Sequence, residues 1–129
     1  MKSQRITDDY CLKSLGHLIN ANRLWLERVK KGSSVIPRNP TMQLDECERL
    51  SAAFNSEILE FIGDQEPDHL YSNCRYQNTK NITFEDSYLD ILTHMLNHGE
   101  HHRAQIVARM RNIGAIPPAT DYLLYVHRD

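Results

Sequence analysis

The sequence predicts an all-α fold: a bundle of three long helices in an up-down arrangement, with a short hairpin or irregular excursion before the last helix. Apolar residues recur at three- and four-residue intervals along three long segments, which is the pattern of an amphipathic helix. A glycine closes each segment, as is common where helices end. By contrast, residues 64 to 86 contain aromatic and β-branched side chains around the turn-prone "NTKN", which is typical of a hairpin.

The first helix is predicted from about Asp8 or Asp9 to about Lys31. Its acidic start has N-cap chemistry, and "KKGSS" supplies a cationic last turn and a terminating glycine. "SSVIPRNP" then breaks the chain with two prolines. Trp25 is interpreted as a core residue, with the wall of a ligand pocket as the alternative. The predicted buried stripe consists of Leu12, Leu15, Leu18 or Ile19, Asn22, Trp25, Leu26 and Val29.

The second helix is predicted from Thr41, a suitable N-cap, to near Gly63. The third is predicted from about Phe84 to about Ile113, and Gly114 followed by "IPP" closes it. The predicted buried face of the second helix consists of Leu44, Cys47 or Leu50, Phe54, Ile58 and Phe61. That of the third helix consists of Tyr88, Leu92, Met95, Gly99, His102, Ile106, Met110 and Ile113.

Composition restricts the class of protein. The chain has 129 residues, enough for one hydrophobic core, so residues 1–129 are predicted to form a single domain. A net charge of −2 without a basic run argues against nucleic acid as the main partner. The absence of a signal-peptide core and of a long apolar stretch predicts a cytoplasmic protein with no membrane partner. The three widely spaced cysteines form no CxxC motif and are expected to be free thiols.

Four of the seven histidines lie within "THMLNHGEHHRAQI", residues 93 to 106. His98 and His102 are four residues apart, so their imidazoles share one helix face and can chelate a single divalent ion. A third ligand must come from elsewhere, and His17 on the first helix is the leading candidate. His94 is the alternative. However, His94, His98 and His102 together span about 12 Å of helix axis and cannot all reach one ion.

Two interpretations without a metal remain open from the residues alone: a solvent-exposed polar face and a packed imidazole network. Glu100 lies two positions beyond His98 and points away from the pair, unlike the glutamate of zinc-dependent metalloproteases. Glu100, His94 and His101 are near enough along the helix to be considered as general bases, and none is assigned that role. Asn97 and Gln105 are either partners that orient the imidazoles or surface amides.

The stretch "HMLNHGEHHRAQI" resembles the signature of the DinB family, in which a histidine, then "NH", then a histidine followed by "RGQ" occupy the last helix. "LGHLINANRLWLERV" and "RNIGAIPPATDYLLYVHR" are similar to further segments of that family. The resemblance implies a four-helix bundle in which His17, His98 and His102 hold a divalent metal ion. Zinc or nickel is implied first, with iron or manganese as alternatives. It also implies a transferase or hydrolase that uses a small-molecule substrate and a low-molecular-weight thiol.

Two departures from the family pattern bear on function. Ala104 replaces the usual glycine of "HRGQ", which is a small-for-small change. The family has a whole helix before the segment that contains His17, and this sequence does not match one there. We therefore expect an exposed apolar face that a second copy covers in a homodimer. The alternative function is a non-catalytic metal-binding or dimerising stress-related protein. A fourth protein ligand, His94 or Asp121, would indicate a purely structural ion.

Overall fold

The computed structural model describes residues 8–39 and 41–127 and confirms the predicted bundle of three long helices. Helices α2 and α3 each pack against α1, which is therefore the central element. Among the described residues, no helix combines the length and the hydrophobicity needed to span a membrane. The elements in chain order are α1 (Asp9–Lys31), α2 (Leu44–Gly63), a 3₁₀ turn (Pro67–Tyr71), β1 (Asn73–Gln77), β2 (Thr83–Ser87), α3 (Tyr88–Asn112) and α4 (Tyr122–Val126).

Helix α1 begins and ends where the sequence predicts, because local chemistry caps both ends. The Asp8 carboxylate accepts a hydrogen bond from the Cys11 amide over 3.1 Å and forms the N-cap. Gly32 ends the helix with a φ of 85°, a left-handed conformation that glycine adopts without steric cost. Two of the most deeply buried side chains of α1, Leu24 and Arg28, are absent from the predicted stripe. Burial of Arg28 is less expected than burial of Leu24, because a charged side chain is rarely buried.

Helix α2 begins at Leu44, so the predicted start at Thr41 is wrong. The preceding residues, 41–43, are extended, and this conformation places the Met42 side chain in a buried cluster with Ile19 and Cys47. Tertiary burial of one methionine thus outweighs the capping preference of the threonine. The apolar face of α2 otherwise packs as predicted, with Phe54, Ile58 and Phe61 half-buried against the main core.

The predicted hairpin is present, with the "NTKN" segment at its turn. β1 and β2 are antiparallel, and the paired residues run from Asn73 opposite Ser87 to Gln77 opposite Thr83. The Gln77 amide donates to the Gly32 carbonyl oxygen over 2.8 Å, which holds the hairpin against the end of α1. The inward side chains of β1 then join the main core. The buried residues of this main core are Leu26, Val29, Cys74, Tyr76, Ile91 and Met95.

Helix α3 begins at Tyr88, later than the predicted Phe84, because residues 83–87 pair with β1. Ser87 caps the helix by accepting a hydrogen bond from the Asp90 amide over 3.0 Å. The first half of α3 supplies its fully buried residues, Ile91 and Met95. The predicted stripe is wrong at its far end, where Ile113 lies just beyond the helix as its C-cap and is 43 % exposed.

An apolar groove with a volume of 360 Å³ separates α2 from α3. Leu96, on the α3 side, is 72 % exposed, and Ile62, on the α2 side, is 41 % exposed. Burial of these side chains against another surface would be favourable, because apolar area removed from water stabilises an assembly. The apolar residues of the groove are Phe54, Ile58, Ile62, Leu92, Met95 and Leu96.

Candidate metal centre

Packing of α1 against α3 brings three half-buried histidines together. His17 comes from α1, and His98 and His102 come from successive turns of α3. One ring nitrogen from each residue lies within 4.8 Å of the other two. The ring centroids are 4.5 to 5.6 Å apart. We refer to His17, His98 and His102 as the histidine triad. The structure therefore juxtaposes the three residues that the sequence selects as metal ligands.

The distance between the two α3 imidazoles matches the spacing of ligands around one ion. Nε2 of His98 lies 3.1 Å from Nε2 of His102. In a tetrahedral zinc site with Zn–N bonds of about 2.0–2.1 Å, two ligand nitrogens are about 3.3–3.4 Å apart. Three neutral imidazoles are also a donor set that zinc, nickel and other first-row divalent ions accept. The residues present thus fit a divalent metal ion.

A loop carbonyl orients the first member of the triad. Nδ1 of His17 lies 2.9 Å from the carbonyl oxygen of Arg38 and 3.1 Å from Oδ1 of Asn39. A carbonyl oxygen only accepts, so Nδ1 carries the hydrogen and the lone pair is on Nε2. This is the arrangement by which ligating histidines are held in one tautomer. Sequence analysis missed this contact, because a backbone carbonyl leaves no residue pattern in "PRNP".

A glutamine orients the third member of the triad. Nδ1 of His102 donates to Oε1 of Gln105 over 3.1 Å, so its lone pair is on Nε2, the atom that faces His98. The amide nitrogen of Gln105 in turn lies 3.2 Å from Nε2 of His101 and donates to it. Gln105 therefore orients the imidazole of His102, which is one of the two roles predicted for this residue. Asn97 is exposed and makes no such contact with a histidine within the described ranges.

The surroundings of the two α3 members of the triad, His98 and His102, favour their neutral forms. Burial lowers the pKa of His98 to about 4, and repulsion by His102, His17 and other neighbouring imidazoles acts in the same direction. Burial also lowers the pKa of His102, and His17 adds to the effect. Because a proton and a metal ion compete for the same lone pair, neutral rings at pH 7 are in the form that ligates metals.

The other candidate residues lie outside the triad. His94 is stacked on His98 with ring centroids 5.9 Å apart, but in the described part of the chain the cluster of possible ligands is the triad alone. Neither His94 nor Asp121 joins it as a fourth ligand. Glu100 points away, as predicted, and binds Arg103 over 2.8 Å. His101 is exposed and contacts the triad only through the edge of His102 and through Gln105.

A cavity of 330 Å³ lies beside His94, whose ring is stacked on His98 of the triad. Trp25 is half-buried against the main core, as predicted, and it also lines this cavity, so both interpretations of that residue hold. The sequence analysis missed Tyr76, Asp86 and Asp90 as pocket residues. A signal was available for Asp90, which continues the four-residue spacing of His94, His98 and His102 towards the N-terminus, whereas Asp86 lies on β2 and outside the helix. The lining residues are Trp25, Tyr76, Asp86, Asp90, Ile91 and His94.

Comparison with known proteins places these features in context. A family model described as "DinB family" matches residues 10–129. A curated relative, "Protein DinB" of Bacillus subtilis (strain 168), is 29 % identical over 84 residues, which are 65 % of this chain and 48 % of that protein. The matched part of the chain thus spans about half the length of this relative. No solved structure matches the chain.

Proposed function

The chain belongs to the DinB family, and from this premise we propose that it is a divalent-metal-dependent enzyme whose ion is held by His17, His98 and His102. The observation that carries the proposal is the close approach of Nε2 of His98 to Nε2 of His102, 3.1 Å apart, with Gln105 fixing the second ring. The lone pair on Nε2 of His102 faces His98, and it can be met either by a hydrogen on Nε2 of His98 or by an ion that both rings bind. A hydrogen bond between two rings does not involve a third nitrogen, whereas His17 brings one within 4.8 Å of both, which favours the ion.

The chain offers three ligands and no fourth within its described ranges, and this supports a catalytic ion over a structural one. When bound, such an ion would lower the pKa of a thiol or a water molecule and supply a nucleophile at neutral pH. Other residues of the chain orient the ligands. Arg38 and Gln105 hold two of the imidazoles in the ligating tautomer.

We further propose that the reaction is a transfer or hydrolysis on a small-molecule substrate, with a low-molecular-weight thiol as co-substrate. Zinc or nickel is the proposed ion, with iron or manganese as the next choices, since imidazole ligands suit all of them. The cavity beside His94 supports a small-molecule substrate, because its 330 Å³ lies in the range of small-ligand sites. The proposed location is the cytoplasm, and neither nucleic acid nor a membrane is a proposed partner.

The first test is the metal content of untagged protein, measured by inductively coupled plasma mass spectrometry after incubation with zinc or nickel and desalting. We expect about one ion per chain in the wild type and loss of the ion in His102→Ala. His94→Ala is the matched control, since it removes an imidazole one turn from His98 and should retain the ion. Absence of metal in the wild type would refute the proposal, as would loss of metal in His94→Ala with retention in His17→Ala.

A second candidate function, that of a dimerising protein, has one observation in its favour. The groove between α2 and α3 exposes Leu96 and Ile62 and is lined almost entirely by apolar side chains. We propose that a second copy of the chain covers this groove in a homodimer. Light scattering at micromolar concentration tests the dimer, and a monomeric mass would contradict it. Dimerisation without metal uptake would favour the non-catalytic alternative over the enzyme.

A further inference from the structure

The cavity beside His94 is lined by carboxylates and aromatic rings. It lies between α1, the hairpin and the first half of α3, and six side chains line it. The ring of His94 contacts Trp25 with centroids 5.3 Å apart and is stacked on His98 with centroids 5.9 Å apart. One imidazole therefore connects the cavity wall to the triad. A molecule in the cavity would lie one ring away from the proposed metal ligands.

Two carboxylates line this cavity without a cationic partner. Asp86 accepts a hydrogen bond from the hydroxyl of Tyr76, whose oxygen is 2.6 Å from Asp86 Oδ2. Asp90 lies in the first turn of α3 and is exposed. Neither aspartate forms an ion pair with any residue that the structure describes. Two negative charges beside apolar walls thus remain available to a cationic group of a ligand.

Arg28 contacts the lining from the protein interior and leaves these carboxylates unpaired. Its guanidinium carbon is 4.7 Å from the centroid of the Trp25 ring, and the residue is only 2 % exposed. Its Nε and Nη2 atoms are buried without a hydrogen-bond partner among the described residues, so they bond to neither aspartate. The stacked guanidinium stabilises the position of the indole. Trp25 is thereby a fixed wall of the cavity.

We propose that the cavity binds the protonated amine of a small-molecule substrate and that Asp86 and Asp90 determine this specificity. The ammonium group pairs with the two carboxylates, while the adjoining hydrocarbon packs against Trp25 and Ile91. The remainder of the molecule extends past His94 towards the triad. The inference rests on the proposed function in treating the triad as the reacting centre, whereas binding of the amine itself requires no metal.

The chain's single tryptophan makes the test direct. Trp25 lines the cavity, so tryptophan fluorescence reports on this site alone. The probes share one shape and differ in charge at pH 7: cyclohexylmethylamine, cyclohexylmethanol and cyclohexanecarboxylate. We expect the amine to change the emission saturably, with a dissociation constant on the order of 1 mM that rises with added salt. The alcohol is expected to bind at least about fivefold more weakly, and the carboxylate is expected not to saturate.

Charge-removing variants identify the residues responsible. Asp86→Asn and Asp90→Asn preserve side-chain shape, and each is expected to weaken amine binding by about fivefold to tenfold. Glu85→Gln is the matched control, since Glu85 is exposed on the same strand as Asp86 and does not line the cavity. Circular dichroism establishes that each variant is folded. The proposal is overturned by equal responses to all three probes, by no response to the amine, or by unchanged amine affinity in both aspartate variants.

The two proposals fail in different ways. The titration is performed on metal-free protein and repeated after zinc reconstitution, with metal content measured on the same samples. Charge-selective binding of the amine without metal uptake would support the amine site and refute the metalloenzyme. Metal uptake by the triad without selectivity for the amine would support the metalloenzyme and refute the amine site.

Discussion

Two rows of side chains, each repeating every four residues, run along α3 and differ in what faces them. The first row consists of Asp90, His94, His98 and His102. The second row consists of Leu92, Leu96 and Glu100. The first row meets rings on α1, which are Trp25 beside His94 and His17 beside His98 and His102. The second row borders the groove, where no described element covers Leu96.

The comparison of the two rows separates two determinants of a site. Spacing determines which residues share a helix face, and both rows have the same four-residue spacing. A site also needs partners, and the first row receives them from Trp25 and His17 on α1. In the second row Leu92 packs against the main core and Glu100 binds Arg103, whereas Leu96 stays 72 % exposed in the single chain. Each prediction below compares a change at one position with a matched change at another.

The largest expected effect is on stability, and it contrasts the inner and outer sides of α3. Ile91→Ala removes a side chain that is 3 % exposed within the main core and is expected to lower the free energy of unfolding by about 2–5 kcal/mol. Leu96→Ala, at a residue 72 % exposed in the single chain, is expected to change the free energy of unfolding of the monomer by less than about 0.5 kcal/mol. Urea titration followed by circular dichroism, at protein concentrations low enough to keep the chain monomeric, measures both. A comparable loss in Leu96→Ala under these conditions would contradict the exposure of Leu96 in the monomer.

The second prediction concerns self-association through the groove. Leu96→Glu places a charge on the proposed interface, and burial of an unpaired carboxylate is strongly unfavourable. We expect the dimer to weaken by at least about a hundredfold, measured as sedimentation velocity over a concentration series. Thr93→Glu is the matched control, because Thr93 is exposed on α3 and does not line the groove. Equal weakening by both variants would argue for a general charge effect and against this groove as the interface.

The third prediction tests a partner of the first row. Gln105→Leu removes the acceptor for Nδ1–H of His102, so the ligating tautomer is no longer fixed. Zinc affinity, measured by competition with a chelator, is expected to fall by about 10- to 100-fold. Asn97→Leu changes another amide of α3 that contacts no histidine within the described ranges, and its zinc affinity should equal that of the wild type. Unchanged affinity in Gln105→Leu would mean that the triad does not depend on this orientation.

The contrast between local spacing and tertiary partners also explains which parts of the fold could be predicted from sequence. The ends of α1 depend on Asp8 and Gly32, whose effects are local, and the prediction of both is correct. The starts of α2 and α3 depend on burial of Met42 and on pairing of residues 83–87 with β1. These are tertiary interactions, which a local pattern of caps and periodicity does not contain.

The candidate site likewise has features that local sequence patterns predict and features that depend on tertiary contacts. The proximity of His98 and His102 follows from helical spacing, and the same spacing prevents His94 from reaching one ion together with both. The position of His17 beside them depends on the packing of α1 on α3. The orienting carbonyl of Arg38 has no sequence signature. The row extends to Asp90 and Asp86, but Asp86 belongs to β2, so helical periodicity alone does not place it in the cavity.

The smallest expected effect lies at the far end of α3, beyond both rows. Arg109 binds Asp8 through two contacts, Nη2 to Oδ1 at 2.9 Å and Nε to Oδ2 at 3.1 Å, and so links the end of α3 to the start of α1. The hydrogen bond from Arg109 lowers the pKa of Asp8 from 3.8 to about 2. A lowered folded-state pKa stabilises the fold above the unfolded-state value. That stabilisation is lost as the pH falls from about 4 through 2.

Asp8→Asn keeps an oxygen that can cap α1 but removes the charge. We therefore expect its Tm to be a few degrees below that of the wild type at pH 7, with the difference disappearing between pH 4 and pH 2. Added salt should reduce the difference at pH 7, because the pair is partly exposed. Asp9→Asn, at an exposed position in the first turn, is the control for a charge near the helix start. A Tm difference that stays constant from pH 7 to pH 2 would assign the effect of Asp8→Asn to the cap, and the link between α1 and α3 would then rest on side-chain packing in the core and around the triad.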